Sequence, residues 1–287
     1  MTHPEIQYLK LLADILRDGK GKKTRGVHGV KSIFGYQMKF DLRYGFPLLT
    51  TKKMPFKILL NELFWFISGD TNIKFLNENK INYWNDFANE NGDLGPVYGY
   101  QWRKWPTFID KTTGKVATGD TPKENLEFKE VDQLQNVINE IKTMPDSKAM
   151  IVSAHNPAQL NEMRLPPCHA FYQFNVTKGK LKLQLYQRSS DVFLGLPFNI
   201  AQYALLLMMV AQVTGYKARE LIVTIGDGHL YYNHLDAAKE QVARVPKAFA
   251  HVKINPDVKN IDDFKVEDFE LIGYDPHPHI SAPLVIL

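Results

Sequence analysis

Cysteine is nearly absent: Cys168 is the only one in 287 residues. An intramolecular disulfide and a cysteine-based metal site are both excluded. Long apolar runs are missing as well. The most apolar stretch, 204–210, is too short to span a bilayer, which takes about 20 residues. Residues 1–10 are polar and lack the apolar core of a secretory signal. These features lead us to expect a cytosolic protein with no membrane partner. Charge of one sign is scarce too: the formal net charge is +4 and the pI about 8.8. A dedicated nucleic-acid binder clusters Lys and Arg and has a pI above about 9. The balance suits a small anionic substrate better than a nucleic acid. The Lys-rich stretch 20–23 reads as a solvated turn. No internal repeat or low-complexity segment stands out.

What is present is ordinary for a soluble globular chain. Hydrophobic residues make up 44% and charged residues 23%, enough for a sizeable core in one domain spanning 1–287. Ile6, Leu9, Leu12, Ile15 and Leu16 repeat at helical spacing and Gly19 closes the pattern, which predicts an amphipathic helix. Phe34, Tyr36, Met38 and Phe40 alternate through a strand at 31–42. Pro55 can open a helix over 56–68, ended by Gly69, and 72–79 reads as a short helix. The stretch 86–100, rich in Gly, Asn and Asp, reads as loop. The least structured part is 108–129, a charged surface insertion, because helical patterning resumes at 131–141. In the second half 170–176 and 181–187 alternate around Thr177-Lys178-Gly179-Lys180, a tight turn with Gly where positive φ is needed. Residues 198–212 are apolar almost all round, the mark of a buried helix. A strand at 221–225 runs into Gly226-Asp227-Gly228. Hairpins mixed with long helices predict an α+β fold with one large, mostly antiparallel or mixed sheet.

A lone cysteine is most often a small buried hydrophobe. Three features set Cys168 apart. It follows Pro166-Pro167, which cannot continue a helix and deliver the chain extended into a strand. With Lys178-Gly179 as a two-residue turn, Thr177 faces Lys180, and counting back places Cys168 opposite Ser189, one residue from Arg188. A flat ladder would then point Cys168 and Arg188 to opposite faces, and a bulge would bring them to one. A guanidinium beside a thiol favours the thiolate, the nucleophilic form. His169 suggests a Cys–His protease dyad, but neighbours on a strand point to opposite faces, which argues against it.

Several longer segments carry a resemblance. Leu165-Pro166-Pro167-Cys168-His169, the run from Gln187-Arg188-Ser189-Ser190-Asp191 through Leu194-Gly195-Leu196-Pro197-Phe198-Asn199, and Gly226-Asp227-Gly228-His229-Leu230-Tyr231 resemble three segments of the thymidylate synthase family. Glu62, Trp84 and Gly95-Pro96-Val97-Tyr98-Gly99 fall in that family's order, and the likeness covers nearly the whole chain outside 108–129. The resemblance implies a mixed-sheet α/β fold with a long buried helix, a homodimer whose sites are completed by both subunits, dUMP as substrate, 5,10-methylenetetrahydrofolate as co-substrate, and no metal.

It also implies roles. Cys168 adds to C6 of uracil, which splits one hard step into two. Asn199, an amide that both donates and accepts, pairs with the O4/N3 edge; dCMP-specific hydroxymethylases resemble Asp there, so Asn199 points to uracil. The residue's own alternative is a helix N-cap. Arg25, Arg188 and Ser189 hold the 5′-phosphate, with Lys148 and Gln187 also on the nucleotide side. His229 and Tyr231 reach the ribose 3′-hydroxyl in what resembles a ribose-binding turn. Asp191 accepts from the pterin, with Leu194, Gly195 and Phe198 beside it. Glu62, in an otherwise apolar helix, organises proton transfer around O4. Tyr98 assists removal of the C5 proton. Trp84 keeps water from the exocyclic methylene intermediate, and Lys52 meets the glutamyl tail of the folate.

The pattern breaks in places. Where the family has two adjacent arginines reaching the partner's phosphate, this chain has Lys148 and Ala149. Lysine keeps the charge but loses the planar fork, and alanine keeps neither. Weaker dUMP binding is the expectation. Phe87 replaces a common Trp, His28 is unusual in Gly26-Val27-His28-Gly29, and the tail Val285-Ile286-Leu287 is slightly long. In the family the tail closes over the ligands. Two other readings stand beside this one: a folate-dependent hydroxymethylase on the same scaffold, and a nucleic-acid-binding or binding-only relative.

Overall fold

The computed structural model describes residues 2–24 and 28–285. Along the chain run α1 (Ile6–Asp18), β1 (Lys20–Lys22), β2 (Val30–Asp41), α2 (Phe56–Ser68), α3 (Lys74–Glu78), α4 (Gly99–Arg103), β3 (Trp105–Asp110), β4 (Lys115–Val116), β5 (Leu126–Val131), α5 (Gln133–Thr143), β6 (Ile151–Ser153), β7 (His169–Thr177), β8 (Lys180–Asp191), α6 (Gly195–Thr214), β9 (Lys217–Tyr231), α7 (Leu235–Val242), β10 (His251–Ile254) and β11 (Phe269–Ile272). The large sheet has the order β1-β2-β9-β8-β7-β6. It is mixed: β8 and β9 run parallel, and the other neighbours are antiparallel. The parallel pair needs a long crossover, and α6 supplies it.

The helix α6 is apolar on every side because it is enclosed on every side. Fourteen of its residues are buried, including Leu205, Leu206, Leu207 and Met209. Its length and composition would suit a membrane span, yet 78% of its apolar window is covered by the protein itself. It starts at Gly195, earlier than the apolar run alone indicates, and ends at Gly215 in the left-handed conformation. One sheet face, bearing Tyr172, Phe174, Leu183, Leu185, Val223 and Met38, lies in the core. Along β6, β7 and β8 the alternate positions Ile151, Phe171 and Tyr186 face the other way, and Phe171 stacks on Tyr186 with ring centres 5.3 Å apart.

Three expectations change. Residues 108–129 are not structureless: β3, β4 and β5 form their own antiparallel sheet, with Phe108 and Phe128 paired across it. Charges alternate with single apolar residues there, so the period-2 pattern is diluted. Gly226–Tyr231 is not a turn. It is the end of β9, paired with both β2 and β8. Two glycines suggested a bend, but Gly226 is small because a Cβ there would come within 2.9 Å of the Arg188 carbonyl. The loop reading of 86–100 holds as far as Tyr98, after which α4 begins at Gly99.

The entry to α1 anchors the fold from the inside. Glu5 is fully buried. Its carboxylate accepts from the backbone N–H and the hydroxyl of both Thr50 and Thr51, at 2.9 and 2.6 Å in each case. Glu5→Ala takes the carboxylate from four buried donors, of which the Thr50 hydroxyl alone keeps another acceptor, the Lys247 carbonyl at 3.3 Å, so a loss of about 3 kcal/mol is expected. A denaturant titration reads it directly; an unchanged midpoint would show that water replaces the carboxylate.

Candidate active site

A cavity of about 420 Å³ opens between the ends of β8 and β9, the start of α6, α2, the 83–98 loop and the C-terminal segment. Cys168, Glu62, Tyr98, Trp84, Gln187, Ser189, Asp191, Leu194, Gly195, Phe198, Asn199, His229 and Tyr231 all line it.

Cys168 reaches the cavity through a bulge. The hairpin turn has Lys178 at φ 50° and Gly179 at φ 72°, so Thr177 does face Lys180. The register then shifts between His169 and Phe171, leaving Ala170 without a partner on β8. The Ala170 carbonyl accepts instead from Ala154 and His155. The shift moves Cys168 from opposite Ser189 to opposite Arg188, whose N–H donates to the Cys168 carbonyl at 2.9 Å. The facing problem is solved by one extra residue.

The electrostatics correct the expectation of an activated thiolate. Burial pushes the Cys168 thiol up from its ordinary value; Arg188 and the Tyr98 hydroxyl pull it back, and Asp191 opposes them. Burial wins. Arg188 also does structural work here: its guanidinium donates to the carbonyls of Pro167 at 2.9 Å and Pro166 at 2.7 Å, fixing the proline pair ahead of the nucleophile. It is not among the residues lining the cavity.

Tyr98 holds the other side. Its hydroxyl accepts from the Cys168 N–H at 3.1 Å. Its backbone has φ 35°, a strained value for a residue with a side chain. The following Gly99 explains the tolerance: a Cβ there would lie 1.9 Å from the Phe66 carbonyl oxygen, so the chain must pass close to α2 at this point. His169 stacks on Tyr98 with centres 4.1 Å apart and lies 2.7 Å from the Tyr203 hydroxyl. Burial lowers its pKa to about 3, so the ring is neutral and is no partner base for the thiol.

A chain of hydrogen bonds joins the polar groups. Gln187 Nε2 donates to Asn199 Oδ1 at 2.8 Å, and Asn199 Nδ2 donates to Gln202 Oε1 at 3.4 Å. Gln202 Nε2 donates to Glu62 Oε2 at 2.6 Å, and Trp84 Nε1 donates to Glu62 Oε1 at 2.6 Å. Asn199 is therefore no N-cap. It sits inside α6, whose start is at Gly195. Burial pushes the Glu62 carboxyl up, against the pull of Trp84 and Gln202. Among the described residues the buried Gln187 Oε1 has no hydrogen-bond partner, which leaves an acceptor beside Asn199. Gln202 was not singled out in the sequence, although a signal exists: it is polar in an apolar helix, three residues after Asn199 and so on the same face.

On the far side, Asp191 Oδ1 accepts from the N–H groups of Phe193 and Leu194, both at 3.0 Å, which shapes the entry to α6. His229 Nδ1 lies 3.4 Å from Asp227 Oδ1, and burial pushes the Tyr231 hydroxyl up to about 12. Ala282, Leu284 and Val285 of the C-terminal segment close one wall, where Phe87, Tyr83 and Leu165 also lie; of these, Tyr83, Ala282 and Leu284 were not singled out from the sequence.

Besides Arg188, two site residues, Lys52 and Lys148, stand apart from the cavity. Lys52 is buried, donates from Nζ to the Phe193 carbonyl and lies 3.8 Å from the centre of the Phe193 ring. Burial lowers its pKa to about 7. A lysine locked to a carbonyl in the interior is not presented to a folate tail, which corrects that expectation. Lys148 is exposed ahead of β6, away from the cavity, and its carbonyl accepts from Gln173 at 2.9 Å. Arg25 lies outside the described residues.

A thiol, a buried carboxyl and a relay of amides converging on one cavity define a pocket equipped for nucleophilic chemistry on a small polar ligand. A family model described as thymidylate synthase matches residues 6–286. The chain belongs to the thymidylate synthase family, whose members are folate-using enzymes of the methyltransferase type.

Proposed function

We propose that this chain converts dUMP to dTMP with 5,10-methylenetetrahydrofolate. The observation that carries the reading is the convergence of Cys168, Asn199 and Glu62 on one cavity, with the two last joined through Gln202. Cys168 sulfur adds to C6 of uracil, making C5 the nucleophile of the next step. Asn199, its Oδ1 held by Gln187, turns its amide to the O4/N3 edge. Glu62 moves the proton at O4, and burial, which pushes its carboxyl up, suits a group that exchanges a proton with the ligand. Tyr98 takes part in removing the C5 proton. Arg25, Arg188 and Ser189 serve the phosphate, and His229 and Tyr231 the ribose. The folate supplies the one-carbon unit and the hydride when bound; Asp191, Trp84, Leu194, Gly195 and Phe198 form its side of the wall. The test is a dihydrofolate absorbance assay with dUMP and dCMP side by side. Turnover with dUMP alone is expected. Tetrahydrofolate with a hydroxymethylated nucleotide would overturn the reading in favour of a hydroxymethylase.

We also propose a homodimer through the open sheet face. Phe171 is 39% exposed and Ile151 43% exposed, an apolar strip beside the stacked Tyr186. Phe171→Glu places a charge in that strip and is expected to give monomers by light scattering, with activity lost alongside. Lys148 and Ala149 precede β6 at the same face, where Gln173 holds the Lys148 carbonyl. In the proposed dimer they are the residues that would approach a partner's phosphate site. Arginine at both positions is expected to lower the KM for dUMP about tenfold, the worth of one charge-assisted hydrogen bond. An unchanged KM would mean that another cation already fills the place.

A further inference from the structure

His234 is completely buried and has no part in the chemistry proposed above. It closes the single turn Tyr232–His234 just before α7. Its ring packs edge-on against Tyr231 and tilted against Phe193, with centres 5.5 and 5.7 Å away. Its Nε2 lies 2.8 Å from the carbonyl oxygen of Pro283. A carbonyl only accepts, so Nε2 carries the proton. Among the described residues its Nδ1 has no hydrogen-bond partner, and it stands 3.9 Å from Asp191 Oδ1. One imidazole therefore touches the loop after β8, the end of β9 and the C-terminal segment.

The Pro283 carbonyl is a well-chosen handle. Ala282 on one side of it and Leu284 and Val285 on the other line the cavity. Upstream, the segment is held by Arg244, which donates to the Pro278 carbonyl at 2.6 Å, and by His277, whose N–H donates to the Thr50 carbonyl at 2.7 Å. Beyond Pro278, the bond from His234 is the one hydrogen bond to the segment among the described residues. Proline has no N–H, so at this position the carbonyl is the only backbone group available. Ile280 is buried in the core and Ala282 packs against it, so beyond them the His234 bond is the directional hold on the last residues, and breaking it loosens those residues first.

We propose that His234 is a positioning residue that latches the C-terminal segment over the cavity and ties its closure to the end of β8 at Asp191 and to Phe193 just after it. The latch is a statement about the fold. Its effect on folate rests on the function proposed above.

The test uses the full-length protein with His234→Phe, which keeps the ring and removes the donor, and His234→Gln, whose Nε2 can still donate to Pro283. Carboxypeptidase release of the C-terminal residues reads the latch without any ligand. His234→Phe is expected to release them about threefold to tenfold faster, the worth of one net hydrogen bond, and to raise the folate KM by a similar factor. His234→Gln should restore most of both. Release from His234→Phe at the wild-type rate would overturn the proposal. So would equal rates in the two variants at equal melting temperatures, because the ring position rather than the donor would then be at work. If no dihydrofolate forms in any of the proteins, the function is wrong, and the carboxypeptidase rates still decide the latch.

Discussion

Cys168→Ser is expected to lower kcat by on the order of 10⁴-fold or more, while dUMP still binds. The reason is in the local field. The thiol already sits where burial opposes ionisation, and Arg188 and Tyr98 recover only part of that loss. A hydroxyl has a far higher pKa than a thiol, and the same burial leaves it un-ionised and unreactive. The exchange is close to isosteric, so the bulge at Ala170, the Cys168 N–H bond to Tyr98 and the Arg188 grip on Pro166 and Pro167 should all survive. Binding should survive with them, because Asn199 and Gln187 keep their bond. The measurements are kcat by dihydrofolate absorbance and dUMP affinity by calorimetric titration. A homogeneous serine variant with full activity would sink covalent catalysis. A variant that had also lost dUMP binding would show that the sulfur shapes the pocket as well as reacting in it.

Most of what positions this nucleophile was legible beforehand, for identifiable reasons. The turn at Lys178-Gly179 is encoded by a residue that accepts positive φ, and a two-residue turn sets the register of everything behind it. Counting back exposed a conflict between Cys168 and Arg188, and only a bulge resolves it; the structure has one. Helices α2 and α6 were readable from apolar composition because their surroundings are apolar on nearly all sides. What was not legible depends on distance in space. The net effect on the Cys168 thiol is a competition between Arg188 and burial, and the cavity around it is walled by α2 and the 83–98 loop, which no local pattern reports. The resemblance assigns Lys52 to the glutamyl tail of the folate, yet its position against Phe193 is set just before α6, more than a hundred residues later. The sheet at 105–131 was obscured for a different reason: with few large apolar residues, its strands owe their pairing to backbone hydrogen bonds more than to a buried face.

The second large effect is expected at Glu62. Glu62→Gln removes a proton carrier while keeping size and one acceptor, so kcat should fall by about 10² to 10⁴, the usual worth of a positioned acid–base group. The sign of the pH effect follows from its surroundings. Burial raises the carboxyl, and two donors, Trp84 and Gln202, resist without cancelling it. The limb of the rate profile that belongs to Glu62 should therefore lie above the pH of a free carboxylic acid, and it should vanish in the variant. A second consequence runs along the amide chain. The Trp84 N–H can still donate to the new carbonyl, but the new amide N–H₂ meets Gln202 Nε2, donor against donor. Gln202 relieves this by turning its amide over, which gives up its bond to the Leu59 carbonyl at 3.2 Å and presents an N–H₂ to the Asn199 N–H₂ in turn. Asn199 Oδ1 is fixed by Gln187, so the strain collects at the amide that reads the pyrimidine edge. The variant should therefore also lose part of its preference for dUMP over dCMP, which a Glu62→Gln, Gln202→Glu double variant should regain by restoring a donor–acceptor match. A double variant with no better selectivity than Glu62→Gln would show that the amide chain carries no orientation, and that Glu62 and Asn199 act independently.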